Sequence, residues 1–170
     1  MKKLLVLVGI VGMLTGCGAE PTWEYVQDRI MPEEVVCWQQ EAYTISLGIP
    51  QDCELLEEEL GRSVYGKDDL KVEKRVFLTS GKENAIKAVS GLDASQLTVM
   101  ETTRFGMPEY QFAWYQEQEQ GGRLCRADLI VHDQECYAVI CSSDVEVGNA
   151  HEQEIRQVFS SFGLYTAEGI

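Results

Sequence analysis

The sequence predicts an α+β domain: a mainly antiparallel sheet of about six strands closed by a C-terminal amphipathic helix. Three observations carry this. Between 96 and 143, four runs alternate apolar and polar residues and are separated by short turn signals, the period-two pattern of a meander. Ser80-Gly81-Lys82-Glu83 interrupts the strands with a helix start. Ile155, Val158, Phe159 and Phe162 stand at i, i+3, i+4 and i+7, one stripe of a helix whose apolar face must cover the sheet.

The elements follow in order. Tyr43, Ile45, Leu47 and Ile49 alternate with Thr44, Ser46 and Gly48, a strand over 41–49 ended by Pro50-Gln51-Asp52. Cys53 to Leu56 begins a second short strand. Glu57-Glu58-Glu59 reads as a solvated rim, because a calcium loop interleaves Asp and Asn with a glycine. Arg62–Tyr65 and Leu70–Phe77 make a hairpin around Gly66-Lys67-Asp68-Asp69, with Leu70, Val72 and Val76 inward. Ser80 and Glu83 are spaced to cap each other's amides, and a helix runs to about Ser90, where Gly91 stops it. Ala85, Ile86 and Val89 form its apolar stripe.

Gln96 to Thr103 is the next strand, and Gly106-Met107-Pro108 turns the chain. Tyr110, Phe112 and Trp114 alternate with Gln111, Ala113 and Tyr115. Gln120-Gly121-Gly122 gives a hairpin turn, Arg123 to Val131 returns, and Cys136 to Ser143 is the last strand. A two-residue turn at Asp133-Gln134 sets Val131 opposite Cys136 and Cys125 opposite Ser142. Cys125, Ala127, Leu129 and Val131 then share a face with Cys136, Ala138 and Ile140. Asn149-Ala150-His151-Glu152 caps the last helix, and Gly163 ends it.

Ahead of these elements, Lys2 and Lys3 precede an apolar run over Leu4–Leu14, a secretory signal layout too short to span a bilayer, which takes about 20 residues. Leu14-Thr15-Gly16-Cys17 resembles the lipobox of bacterial lipoproteins. The resemblance implies a diacylglycerol thioether on Cys17 and cleavage after Gly16. The expected organisation is a signal peptide over 1–16, a tether over 17–36 and one globular domain over 37–170. It places the protein at the cell membrane, lipid-anchored on the extracytoplasmic face, with the membrane as its partner through Cys17. Two acyl chains hold a protein stably where one is marginal.

There are 28 acidic residues against 14 basic ones, a formal charge of −14. Loss of Lys2 and Lys3 would make the chain more acidic still. This argues against nucleic acid, whose phosphates demand clustered Lys and Arg. With Cys17 lipidated, five of the six cysteines remain, an odd set with no C-x-x-C and no metal spacing. On the register above, Cys125 and Cys136 are roughly 20 Å apart, at ~3.4 Å per residue, far beyond disulfide reach. Cys136 and Cys141 point to opposite faces. Cys37–Cys53 remains an open pairing.

No catalytic set, metal site or cofactor motif is present: no G-x-S-x-G, no P-loop, no G-x-G-x-x-G and no H-E-x-x-H. His151 lies in the first turn of the last helix, where the dipole disfavours its charged form. Tyr110, Phe112 and Trp114 read as core. The opposite phase, Gln111 and Tyr115 with Arg126, is expected to line a groove between sheet and helix for a small ligand or peptide.

The order of hairpin strands, helix, four-strand meander and closing helix resembles the PsbP-like α/β/α sandwich, and Tyr43-Thr44-Ile45-Ser46-Leu47-Gly48-Ile49-Pro50 looks like that group's opening strand. The chain also looks similar to small lipoproteins of anaerobic bacteria. The resemblance implies a non-catalytic binding or assembly module of the cell envelope that meets an envelope protein or a small ligand. A cystatin-like sheet with a one-sided helix is the alternative fold. An envelope enzyme with a thiol- or histidine-based site is the alternative function.

Overall fold

Strand residues that are apolar on both phases must be covered on both sides, and Cys136-Tyr137-Ala138-Val139-Ile140-Cys141 is such a run. In the computed structural model these six residues are all buried, in the middle of the main sheet. The structure describes residues 43–118, 121–145 and 150–166, all within the unit Glu41–Ile170. The signal segment, Cys17, the rest of the tether, Cys37 and the capping residue Asn149 lie outside the described residues, so the Cys37–Cys53 pairing does too.

The strands are β1 (Thr44–Ser46), β2 (Glu54–Glu59), β3 (Arg62–Lys67), β4 (Leu70–Leu78), β5 (Met100–Arg104), β6 (Met107–Gln118), β7 (Gly121–His132), β8 (Glu135–Asp144) and β9 (Gly163–Tyr165). The helices are α1 (Lys82–Ser90), between β4 and β5, and α2 (Glu152–Ser161), between β8 and β9. The main sheet is ordered β2-β3-β4-β8-β7-β6-β5, with every neighbour antiparallel. It has seven strands among the described residues where about six were expected.

The β7–β8 register is the one that the Asp133-Gln134 turn demands: Val131 opposes Cys136 and Cys125 opposes Ser142. Period two then sorts the side chains into two cores. On one face Leu70, Val72, Ile130, Tyr137, Val139 and Cys141 pack under Ile155, Val158 and Phe162. On the other, Tyr110, Phe112, Trp114, Cys125, Ala127, Leu129, Cys136, Ala138 and Ile140 pack under Ala85 and Ile86 of α1. One helix on each face makes an α/β/α sandwich, so the one-sided cystatin-like alternative does not hold.

Several local expectations are corrected. Of the described residues 43–49, only Thr44–Ser46 is a strand, and it pairs with β9 rather than with the main sheet. Ile45 is buried there, while Tyr43, Leu47 and Ile49 lean on the α2-side core. The acidic run Glu57–Glu59 belongs to β2, an edge strand with every residue exposed. Charge on an edge discourages pairing with a second chain. Leu60 and Gly61 form the tight turn into β3. Gly61 takes φ +69°, and a Cβ there would lie 2.7 Å from the Val76 carbonyl oxygen, so only glycine fits.

Ser80 does not cap α1: the N-cap is Gly81, and Ser80 Oγ instead accepts from Asn84 Nδ2 at 2.5 Å. The strand expected at Gln96 begins at Met100, because Asp93 and Gln96 cap a short 3-10 turn over Ala94–Gln96. Phe105 and Gly106, both at positive φ, make the β5–β6 turn. Met107 and Pro108 are already in β6. Gly121 and Gly122 belong to β7, opposite Gln118 and Glu117. The N-cap of α2 is His151, and Gly163 opens β9 rather than closing the helix.

Candidate functional site

Alternation places Gln111, Ala113 and Tyr115 of β6 and Arg126 and Asp128 of β7 on the face that α2 covers. The helix packs over the centre of the sheet and leaves a cleft toward β6. The cleft has a volume of about 320 Å³ and is lined by Gln111, Ala113, Arg126, Asp128, Ile155 and Phe159, with Arg156 at its rim. That is the lower end of the range for small-ligand pockets.

Gln111 and Arg126 therefore meet in one cleft. Tyr115 does not join them. It is 56% exposed, and its ring lies across Gly122, where an added Cβ would sit 1.8 Å from the phenol oxygen. The side chain turned toward the hairpin end because the glycine left a flat seat there.

At one end of the cleft, Glu152 bridges two guanidiniums, accepting from Arg126 Nη1 at 2.5 Å and from Arg156 Nε at 2.9 Å. The hydrogen bonds from Arg156 and Arg126 hold the Glu152 carboxyl below the usual carboxylate range.

At the other end is a buried polar cluster that sequence reading missed. Arg104 on β5 reaches Glu109 Oε1 at 2.6 Å and Asp128 Oδ2 at 3.2 Å. Thr102 Oγ1 donates to Glu109 Oε2 at 2.5 Å. Gln111 Nε2 donates to Glu109 Oε1 at 3.3 Å and to Asp128 Oδ2 at 3.1 Å. Asp128 is fully buried, and its Oδ1 is the one buried side-chain oxygen or nitrogen without a hydrogen-bond partner among the described residues. Burial, and then the neighbouring Glu109 charge, push the Asp128 carboxyl up to about 7. Glu109 moves the other way: burial opposes ionisation, but hydrogen bonds from the Thr102 hydroxyl and the Asp128 carboxyl, and then the Arg104 guanidinium, outweigh it. Two carboxyls this close cannot both ionise easily, and the one without the hydroxyl partner keeps the proton. One charged residue on each of three separate strands is visible in the sequence. That β5, β6 and β7 bring these three charges together is not.

His151 is also placed differently from expectation. Its Nε2 lies 2.8 Å from Asp69 Oδ1 and its Nδ1 lies 2.6 Å from Glu154 Oε2. These two carboxylates raise the imidazole pKa against the helix dipole, so the charged form is favoured. Both ring nitrogens are engaged. His132 stacks edge-on against Tyr43, with ring centroids 5.4 Å apart.

The thiols are withdrawn from solvent. Burial pushes Cys125 up to about 11 and both Cys136 and Cys141 up to about 12. Cys53 is half-buried and is raised too, first by burial and then by Glu154. Among the described residues no group of three His, Cys, Asp or Glu side chains is arranged to hold a metal, and no helix is long and apolar enough to cross a membrane.

No protein-family model and no curated protein matches this chain. Solved structures do. A crystal structure from Bacteroides thetaiotaomicron VPI-5482 is similar at 10% identity and a TM-score of 0.51, over 73% of this chain and 46% of that one. The chain thus spans under half the length of that structure, and the likeness shows the fold alone. LpqN of Mycobacterium tuberculosis, described as involved in cell envelope biogenesis, aligns at 14% identity and a TM-score of 0.48, over 75% of this chain and 87% of LpqN. The solution structure of cyanobacterial PsbP (CyanoP) from Synechocystis sp. PCC 6803 aligns at 13% identity and a TM-score of 0.42, over 75% of this chain and 96% of that one.

Proposed function

We propose that this chain is a membrane-anchored extracytoplasmic lipoprotein whose domain is a non-catalytic binding or assembly module of the cell envelope, with the cleft beside α2 as its binding site. The observation that carries the reading is that cleft. It has apolar walls from Ile155, Phe159 and Ala113, with Arg126 and Arg156 on one side, bridged by Glu152, and Gln111 and Asp128 on the other. Such a combination suits recognition, since few polar groups fix orientation and the apolar wall supplies contact area. The anchor half of the reading rests on Leu14-Thr15-Gly16-Cys17.

A thiol- or histidine-based enzyme is less well supported. A reactive cysteine needs a lowered thiol pKa and access to solvent, and Cys125, Cys136 and Cys141 have neither. His151 has no free ring nitrogen to act as a base.

The anchor is tested by feeding radiolabelled palmitate to cells that express the full chain. Label should enter the wild type and be absent from Cys17→Ala, which should leave the membrane fraction. Equal membrane retention of Cys17→Ala would sink the anchor. The binding site is tested by crosslinking intact cells with wild type and with Ala113→Trp, which fills the cleft. An unchanged set of crosslinked envelope components would remove the cleft from the reading.

A further inference from the structure

Two buried carboxyls beside the cleft share one cation. Glu109 is 4% exposed, Asp128 is fully buried, and the two are hydrogen-bonded to each other. Arg104 reaches both, at 2.6 Å and 3.2 Å. The other charges about Asp128 are engaged elsewhere or set apart. Arg126, two residues along β7, is paired with Glu152 of α2, and so is Arg156 at the cleft rim. Val139 of β8 lies opposite Asp128, and Lys74 of β4 is one strand further away. One guanidinium balances one carboxylate, so the pair keeps a proton for as long as it stays dry. Asp128, raised by burial and by Glu109, is the carboxyl that holds it.

The same guanidinium holds the end of α2. Its Nη1 donates to the Phe159 and Phe162 carbonyls at 3.1 Å and 2.7 Å, while Nε and Nη2 face the two carboxyls. Phe159 is also an apolar wall of the cleft, which Gln111 and Asp128 line as well. Gln111 Nε2 donates to both carboxyls. Proton, guanidinium, helix end and cleft wall are thus joined by direct contacts. Loss of the proton would leave a second buried charge without a cation of its own, which a dry site does not tolerate. Because Asp128 borders the cleft, water can reach it from there.

Resting on the cleft as the binding site, we propose that the proton shared by Glu109 and Asp128 gates it. With the proton in place, Arg104 holds the last turn of α2 and the cleft is shut against the carboxyls. When the proton passes to solvent, the second carboxylate draws water in through the cleft and takes Arg104 from the helix carbonyls. The last turn of α2 then loosens, and the Phe159 wall moves with it. The cleft is therefore more open above neutral pH than below it. His151 titrates at the other end of α2, between Asp69 and Glu154, and acts on the first turn instead.

The test is amide hydrogen exchange of the full chain at pH 5.5 and pH 8, corrected for the chemical exchange rate and read by mass spectrometry. Protection of peptides over 156–163 should fall tenfold or more at the higher pH, while peptides over 136–141 in β8 hold theirs. Asp128→Asn and Glu109→Gln each leave one carboxylate for one guanidinium, so either should make the protection of 156–163 independent of pH. Circular dichroism checks that each variant folds, and the wild type alone can refute the gate. Unchanged protection in the wild type, a loss confined to 151–155, or a loss that survives in both folded variants would each overturn the inference. If protection does not vary while Ala113→Trp still removes a crosslinked envelope component, the gate falls and the binding function stands. If protection varies as expected while Ala113→Trp changes nothing, the binding function falls and the proton switch stands as a property of the fold alone.

Discussion

The Arg104 guanidinium donates from Nη1 to the backbone carbonyl of Phe162 at 2.7 Å, across 58 residues of sequence. The same nitrogen reaches the Phe159 carbonyl at 3.1 Å. A cation at a helix C-terminus meets the negative end of the dipole and satisfies carbonyls that have no partner in the helix. Arg104 thus joins the edge strand β5 to the end of α2. Glu109 and Asp128 balance its charge underneath.

Arg104→Met should therefore be among the most damaging polar substitutions. It removes the helix clamp and leaves two buried carboxyls without their cation. Breaking a buried pair by removing one partner costs about 3–5 kcal/mol. Urea denaturation at neutral pH measures this, and a loss below about 1 kcal/mol, the worth of a surface pair, would show that the cluster is not coupled to the helix.

Asp128 gives the fold a pH signature. Its carboxyl is raised to about 7 when folded, from an ordinary 3.8. Between those values the folded state holds the proton and the unfolded chain releases it, so this group's contribution falls as pH rises through the window. Asp128→Asn should flatten that slope. Denaturation midpoints at pH 4.5, 6 and 7.5 would show the variant gaining on the wild type as pH rises; parallel curves would contradict the assignment.

The Asp69–His151 pair has the opposite dependence at its acid end. Burial works against the Asp69 carboxylate, but the His151 ring and the Asp144 amide win, and its pKa is lowered from 3.8. Its stabilisation is present above 3.8 and is lost as pH falls through the folded value. His151 is raised from 6.5 by Glu154 and then Asp69. Its stabilisation is complete below 6.5 and is lost as pH rises through its own folded value. His151→Gln should cost about 1–3 kcal/mol near pH 5–6, with a smaller penalty on either side. A penalty that does not vary with pH would mean that the ring is not charged in the fold.

Alkylation should sort the thiols. In the folded protein at pH 8, iodoacetamide should modify Cys53 and spare Cys125, Cys136 and Cys141, whose thiolates are disfavoured and covered. All four should react in guanidinium chloride. Mass spectrometry of the native protein showing a modified Cys125 or Cys136 would reopen the thiol-enzyme reading.

Sequence reading went furthest where the rule is local. A two-residue turn at Asp133-Gln134 and a side-chain period of two leave β7 and β8 one register, so the partners of Val131 and Cys125 follow from spacing alone. The same logic separates Cys136 from Cys141 and puts them in different cores. It fails at caps, where Ser80 had the right spacing but turned to Asn84 instead. It fails again at β1, whose partner β9 lies at the far end of the domain.

What the sequence alone determined is which residues share a face: the meander, the stripe on α2, and the placing of Gln111 and Arg126 on one side of the sheet. Tertiary structure decided which faces meet. Arg104, Glu109 and Asp128 are single charges on separate strands until three strands lie side by side and the end of α2 closes over them. Tyr115 had the phase of a cleft residue, yet the empty space over Gly122 drew it away. Periodicity is a property of one strand, whereas desolvation and charge pairing depend on everything within a few ångströms, and only the folded chain brings those groups together.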